Sequence, residues 1–348
     1  GPLARIFYST EVKKQKINIY KIKRDKSTEK MLPGVYDNNG IEFTVNSRGF
    51  IGDEFSVKNE TGCRIISFGG STTLGIETKN PYPKILEEKL IKNKFNCEVL
   101  NFGFSGKGLN YIENLLVNEA INYSPNIITI MSNRNSVMYD SYGSSSISPD
   151  VISSNFDFYY YKLKKFIFSE IMTYRFLDLA SKRVLSLFYD KENKILSPYD
   201  SNTYHLKNYF VSKYENQLKN IINFSKKNNI KVVLVKQAHY LNIDQQKKLK
   251  LLSKEQVINK LLNYNKEKSN NKINLFWSYT NAILNKSLDK IKLEYPDVIV
   301  VDPTEEIYAY EKEINFLDNI HLTSHGNEIV AKNIMFSIVN DVKVLTKP

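Results

Sequence analysis

The chain has 348 residues, of which 42% are hydrophobic, 12% aromatic and 25% charged, enough apolar material for one large α/β domain with appendages. Its formal net charge of +12 is spread as lysines among asparagines and isoleucines, with no arginine-rich tract or nucleic-acid module. This argues against nucleic acid as partner and leaves an anionic glycan or a membrane surface open. No apolar run approaches the roughly 20 residues a membrane helix needs, so the sequence excludes a membrane-spanning segment of that kind.

The opening Gly1-Pro2 looks like the remnant of a cleaved tag. That leaves open whether a native targeting segment or anchor is missing, and bacterial cytoplasm and cell envelope both stay open as compartments. Residues 1–60 read as a polar N-terminal extension punctuated by Pro33-Gly34, Asn38-Asn39-Gly40 and Gly52-Asp53, with a strand over Ile41 to Val45. From residue 61 to 348 the pattern becomes short apolar runs alternating with helical periodicity, as a parallel sheet covered by helices requires.

The predicted elements are a strand over Arg64–Phe68, a helix over Pro83–Lys92, a strand over Val99–Phe102 and a helix over Tyr111–Ile121. A third strand, Ile127–Met131, follows Pro125. An interruption at about 141–205 carries a dense apolar set, including Phe166, Ile167, Ile171, Phe176, Leu177, Leu179 and Leu185, and predicts a helical insertion over the ligand-binding edge. Lys162, Lys164, Lys165, Lys182 and Arg183 flank that apolar set, so contact with a membrane surface is the alternative role. The series closes with a helix over Tyr214–Phe224, a strand over Lys231–Val235, a helix over Thr280–Leu293, a strand over Val298–Val301 and a helix from about Gly326 to Asn340. The fold class is thus α/β, a doubly wound parallel sheet of about five strands in three layers.

Cys63 and Cys97 each precede an apolar strand, and if those strands are parallel neighbours a disulfide is within reach. Two buried free thiols are the expected state. Their number and spacing do not suit a zinc site, and neither a metal nor a cofactor is called for.

In an open parallel sheet, ligands bind beyond the carboxyl ends of the strands, so catalytic candidates are sought just after each apolar run. The first strand is followed by Gly69-Gly70-Ser71-Thr72-Thr73, a tight turn that delivers a hydroxyl. It is neither the Gly-x-Ser-x-Gly elbow nor a phosphate loop. The second strand is followed by Gly103-Phe104-Ser105-Gly106-Lys107-Gly108, whose glycines suit an oxyanion hole or a simple loop. The third is followed by Ser132-Asn133-Arg134-Asn135-Ser136, where side-chain amides can donate to the same oxyanion. Near the end stands Asp318-Asn319-Ile320-His321, an Asp three residues before a His in a turn entering a helix. There the carboxylate can hold one imidazole nitrogen and leave the other to accept a serine proton.

These four blocks together resemble the SGNH (GDSL-type) hydrolase family over roughly residues 62–340. The resemblance implies Ser71 as nucleophile, Asp318 and His321 as its partners, and an oxyanion hole from Ser71, Gly106 and Asn135. Two departures stand out. Gly69-Gly70-Ser71 replaces the usual Gly-Asp-Ser, and Asn133-Arg134-Asn135-Ser136 replaces the usual Gly-x-Asn-Asp, so Asn133 competes with Asn135 for the oxyanion role. Arg134 reads either as a ligand for a substrate carboxylate or as a solvated side chain, and His239, after the fourth strand, either as a substrate contact or as a surface-loop histidine. Val45-Asn46-Ser47-Arg48-Gly49-Phe50 is similar to a stretch preceding the nucleophile in bacterial members linked to surface polysaccharides. The implied activity is removal of O-acyl groups, chiefly acetyl, from a bacterial glycan or another small ester. Acyl transfer to a glycan by the same residues and non-catalytic glycan binding are the alternatives.

Overall fold

The structure, a computed structural model, describes residues 30–60, 62–136, 203–240, 251–253, 256 and 272–346, together with a two-residue strand near the start. The expected insertion at about 141–205 lies outside the described residues apart from the start of one helix.

The N-terminal part is a small sheet of β1 (Gln15–Lys16), β2 (Gly34–Asn38) and β3 (Ile41–Val45) in that order. β2 and β3 pair antiparallel across Asn39-Gly40, both in positive φ, which is the signature of a tight two-residue hairpin turn. The stretch after β3 turns on Asn46, whose side-chain oxygen accepts from the N–H groups of Arg48 and Phe50. That turn drives Phe50 into the main core, where its ring stacks on Phe102 at 3.6 Å between centroids. The stretch whose sequence resembles polysaccharide-linked proteins is therefore a structural clasp between hairpin and domain.

The main sheet is wholly parallel and holds β4 (Arg64–Gly69), β5 (Glu98–Gly103), β6 (Ile127–Met131), β7 (Lys231–Val235) and β8 (Ile299–Val301) in the order β5-β4-β6-β7-β8. Every residue of β4 and β6 is buried, as expected for strands covered on both faces. Alternate residues divide between two cores. Ile66, Phe68, Ile128, Ile130, Val232 and Leu234 face one side, and Ile65, Ile127, Met131, Val233 and Val235 the other.

The helices are α1 (Ser71–Leu74), α2 (Tyr82–Lys92), α3 (Leu109–Asn118), α4 (Thr203–Lys227), α5 (Lys272–Glu294), α6 (Thr304–Tyr308), α7 (Lys312–Asn315) and α8 (Ser324–Leu345). α3, α4 and α5 supply residues to the first core, α2 and α8 to the second, giving three layers. α2 starts with Pro83 in its first turn, where a missing N–H costs nothing. α8 is capped by Thr323, whose hydroxyl accepts from Gly326 N–H at 3.2 Å.

The expectation of two free thiols is corrected. Cys63 and Cys97 are joined by a disulfide, with Cα atoms 4.5 Å apart. The physical reason is the register: Arg64 pairs with Glu98 at the start of the parallel β4–β5 ladder, and Glu98 N–H donates to Cys63 carbonyl at 2.9 Å, so the two preceding residues sit side by side. Beside this bond Arg64 is 1% exposed and saturated. It donates to Glu98 at 2.6 Å and to the carbonyls of Ser56, Val57, Lys58 and Tyr123, so its buried charge binds the 56–58 segment to the sheet.

Candidate active site

The sheet order reverses direction at β4, which leaves a crevice at the carboxyl ends of β4 and β6, the position where open α/β sheets bind ligands. Ser71 is the first residue of α1, directly after β4. Asn135 lies four residues beyond β6. Chain topology alone thus brings the hydroxyl and the amide to the same crevice.

Gly70 fits this crevice because it has no side chain. A Cβ there would stand 2.1 Å from Asn135 Nδ2 and 3.6 Å from the carbonyl of Lys107. The amide of Asn135 and the loop after β5 therefore both close on the residue just before Ser71. Within that loop Gly106 adopts φ of +74°, a left-handed conformation that a side chain would strain. Any side chain at position 70 would meet Asn135 in this space.

Asp318 and His321 come from the turn between α7 and α8. One Asp318 oxygen, Oδ1, accepts from the backbone N–H of both Ile320 and His321, each at 2.7 Å, and so folds the turn around itself. The other, Oδ2, is 2.7 Å from His321 Nδ1. The turn is closed by Leu317 N–H donating to His321 carbonyl at 2.8 Å, and tied to the chain after β7 by Tyr240 N–H donating to Asn319 carbonyl at 2.8 Å. His321 Nε2 then lies 2.8 Å from Ser71 Oγ. An ionised carboxylate can only accept, so the Nδ1 proton is fixed toward Asp318 and the Nε2 lone pair faces the serine hydroxyl.

The electrostatics fit that arrangement. Burial pushes the Asp318 carboxyl up, but the His321 ring and the two backbone N–H donors outweigh it and hold it well below the usual carboxylate range. For His321, burial works against the charged form, and the hydrogen bond to Asp318 with the negative charges of Glu77 and Asp318 overcomes it, so the ring is more basic than an ordinary histidine. Arg134 lies near enough to oppose this, lowering both His321 and His239.

Asn133 does not face the crevice. It is 1% exposed, and its side chain receives a hydrogen bond from Tyr214 at 2.8 Å while donating to Asn281 and Asn285 at 2.8 and 2.7 Å. The expected role as substrate contact, or as rival oxyanion donor, is corrected accordingly: Asn133 anchors the turn that presents Asn135. Gln237 extends the same buried network to Thr72, next to Ser71, at 3.2 Å.

His239 is corrected in its surface-loop reading. It is 2% exposed, so it is not a surface-loop residue, and its Nδ1 is committed to Ser278 Oγ at 2.9 Å. Burial and the charge of Arg134 push it down to about 4, so it is neutral at pH 7. Its backbone N–H and carbonyl both bond Tyr308 Oη, which fixes the strand end that carries Tyr240.

The sequence reading missed Glu77. This carboxylate, on the turn after α1, places Oε1 4.0 Å from His321 Nε2. Among the described residues no cluster of His, Cys, Asp and Glu could hold a metal ion, and no helix is long and apolar enough to cross a membrane.

No family model matches the chain, and no curated protein matches it. Among solved structures the similarity is low. A GDSL-like lipase from Bacteroides thetaiotaomicron is similar at 11% identity and TM-score 0.43, covering 82% of this chain and 93% of that one. A variant of an acetyl xylan esterase from Geobacillus stearothermophilus is similar at 14% identity and TM-score 0.43, covering 80% and 95%.

Proposed function

We propose that this chain is a serine esterase of the SGNH type that removes O-acyl groups, chiefly acetyl, from a glycan. The observation that carries the reading is the unbroken series from Asp318 through His321 to Ser71, with spans of 2.7 and 2.8 Å, at the switch point of the sheet. A structural histidine would have its second nitrogen satisfied by any donor. Here it meets a serine hydroxyl at the end of a strand, with an amide closing from the opposite side.

In the proposed reaction Ser71 Oγ attacks the ester carbonyl as its proton passes to His321 Nε2, and Asp318 stabilises the imidazolium. The N–H groups of Ser71 and Gly106 and the side-chain amide of Asn135 receive the negative oxygen. His321 gives the proton to the sugar oxygen as its bond to the acyl carbon breaks, and water repeats the sequence on the acyl-serine. Arg134, whose charge reaches His321 and His239, would favour an electron-rich substrate. The glycan part of the reading rests on the resemblance of residues 45–50 to polysaccharide-linked proteins.

The test is product analysis by mass spectrometry on O-acetylated oligosaccharides, with Ser71→Ala as control. Free acetate released by the parent and not by the variant is expected. Acetyl groups appearing on an added glycan acceptor in place of free acetate would replace hydrolysis with acyl transfer. Retention of all acetyl groups by a folded parent would overturn the glycan esterase reading.

A further inference from the structure

Glu77 stands on the opposite edge of the His321 ring from Asp318. Asp318 Oδ2 bonds Nδ1 at 2.7 Å, whereas Glu77 Oε1 is 4.0 Å from Nε2, the nitrogen that meets Ser71. The Glu77 side chain is 19% exposed, so its charge is poorly screened compared with that of Asp318 at 54%.

Its placement is built in from both sides. Gly75 ends α1 in a left-handed conformation at φ of +67°, which turns the chain back toward the crevice. Ile76 is 2% exposed, and its carbonyl accepts from Asn38 Nδ2 at 2.8 Å, tying this turn to the N-terminal hairpin. On the other side Thr78 N–H donates to Gly75 carbonyl at 3.2 Å, and Thr78 Oγ1 meets Ser324 Oγ at 2.8 Å at the start of α8. A solvated surface glutamate needs no such mounting.

We propose that Glu77 is a second carboxylate partner of His321, a positioning residue that steadies the imidazolium from the nucleophile's side while Asp318 steadies it from the other. The proposal rests on the esterase reading for its catalytic meaning, but the coupling between the two side chains stands apart from it. The charged groups reaching His321 are Asp318 on its own turn, Glu77 after α1 and Arg134 after β6. Two negative charges thus oppose one positive charge, and loss of Glu77 leaves them balanced. Burial raises the Glu77 carboxyl and the nearby imidazole partly offsets this, so the pair is most tightly coupled where both groups are charged.

The step itself is a proton transfer with no change in electron count. The Ser71 O–H bond breaks as the Oγ–carbonyl bond forms, and the proton moves to Nε2, creating the positive charge that Glu77 faces. Removing the Glu77 charge makes His321 less basic, so protonation of the free ring sets in at lower pH.

The experiment pairs proton NMR titration of the histidine rings, with His321 assigned by its absence from His321→Ala, with pH profiles of kcat/KM on p-nitrophenyl acetate. Parent, Glu77→Gln and Glu77→Asp are compared. In Glu77→Gln the His321 midpoint and the acid limb of the profile both move down by about one pH unit, and the plateau rate falls about three- to tenfold. Glu77→Asp keeps both midpoints nearer the parent. An unchanged His321 titration in Glu77→Gln would overturn the proposal whatever happened to the rate, as would a Glu77→Asp profile indistinguishable from that of Glu77→Gln. The NMR arm needs no substrate. A parent that cleaves no ester would therefore sink the esterase reading and leave the coupling to be judged by the titration alone.

Discussion

Replacing Gly70 with alanine tests whether Asn135 serves the reacting centre. The new methyl group would stand 2.1 Å from Asn135 Nδ2, where ordinary contact needs about 3.4 Å, so the amide must retreat by roughly 1 Å. Gly70 has φ of −85°, so alanine meets no backbone penalty and the effect is confined to the contact. A shift of about 1 Å in a catalytic donor costs on the order of a hundredfold, close to the loss on removing one oxyanion donor outright. The assay is kcat on p-nitrophenyl acetate for Gly70→Ala, Asn135→Ala and the double variant. Each single variant is expected to lose about a hundredfold, roughly 2.7 kcal/mol of barrier, and the double variant to be little worse than Asn135→Ala alone, since the amide can be lost only once. A Gly70→Ala enzyme within threefold of the parent, or losses that multiply in the double variant, would show that Asn135 does not serve the reacting centre through this contact.

The disulfide closes a loop of 34 residues, so replacing Cys63 and Cys97 with serine should lower unfolding stability by about 3 to 4 kcal/mol in denaturant titrations, with the β4–β5 register retained. Neutral, buried His239 has its folded pKa depressed to about 4. Its contribution to stability is therefore fully present above the unfolded value of about 6.5 and is lost as pH falls toward 4, on the order of 3 kcal/mol in all. Denaturation at pH 7 and pH 5 should show this loss in the parent, and His239→Gln should flatten it. Asn133→Leu removes the anchor of the turn that holds Asn135, and a drop in kcat with little change in the acid limb of the pH profile is expected, because no charge near His321 has changed.

Sequence pattern carried the fold because the strands are covered on both faces. Ile127–Met131 and Lys231–Val235 are apolar but for Thr129 and Lys231, and both appear with the bounds the pattern predicts. Helix ends were less legible. α5 starts at Lys272, eight residues before the amphipathic pattern beginning at Thr280 becomes clear. The short helices α1, α6 and α7 have four or five residues each, too few for a periodicity to show.

At the site, the order of the blocks is written in the chain, but which of two neighbouring asparagines faces inward is not. That choice is made by Tyr214, Asn281 and Asn285, which converge on Asn133 from α4 and α5. The disulfide was hidden for a related reason, since a buried thiol and a bonded one leave the same apolar surroundings in sequence. Glu77 left no local signal at all. A single glutamate in a turn is common, and its distance from His321 is set by bonds from Asn38 and Ser324, far away along the chain. The one pattern that could have raised it is its place six residues after Ser71, past the far end of the short helix that Ser71 begins.

Whether Ser71 is a nucleophile activated by His321 is tested most directly by covalent labelling with a fluorophosphonate probe followed by peptide mass spectrometry. A single adduct on Ser71 is expected, absent from Ser71→Ala and slowed by orders of magnitude in His321→Ala. A folded protein that takes up no label, or carries it on another serine such as Ser105, would contradict that role.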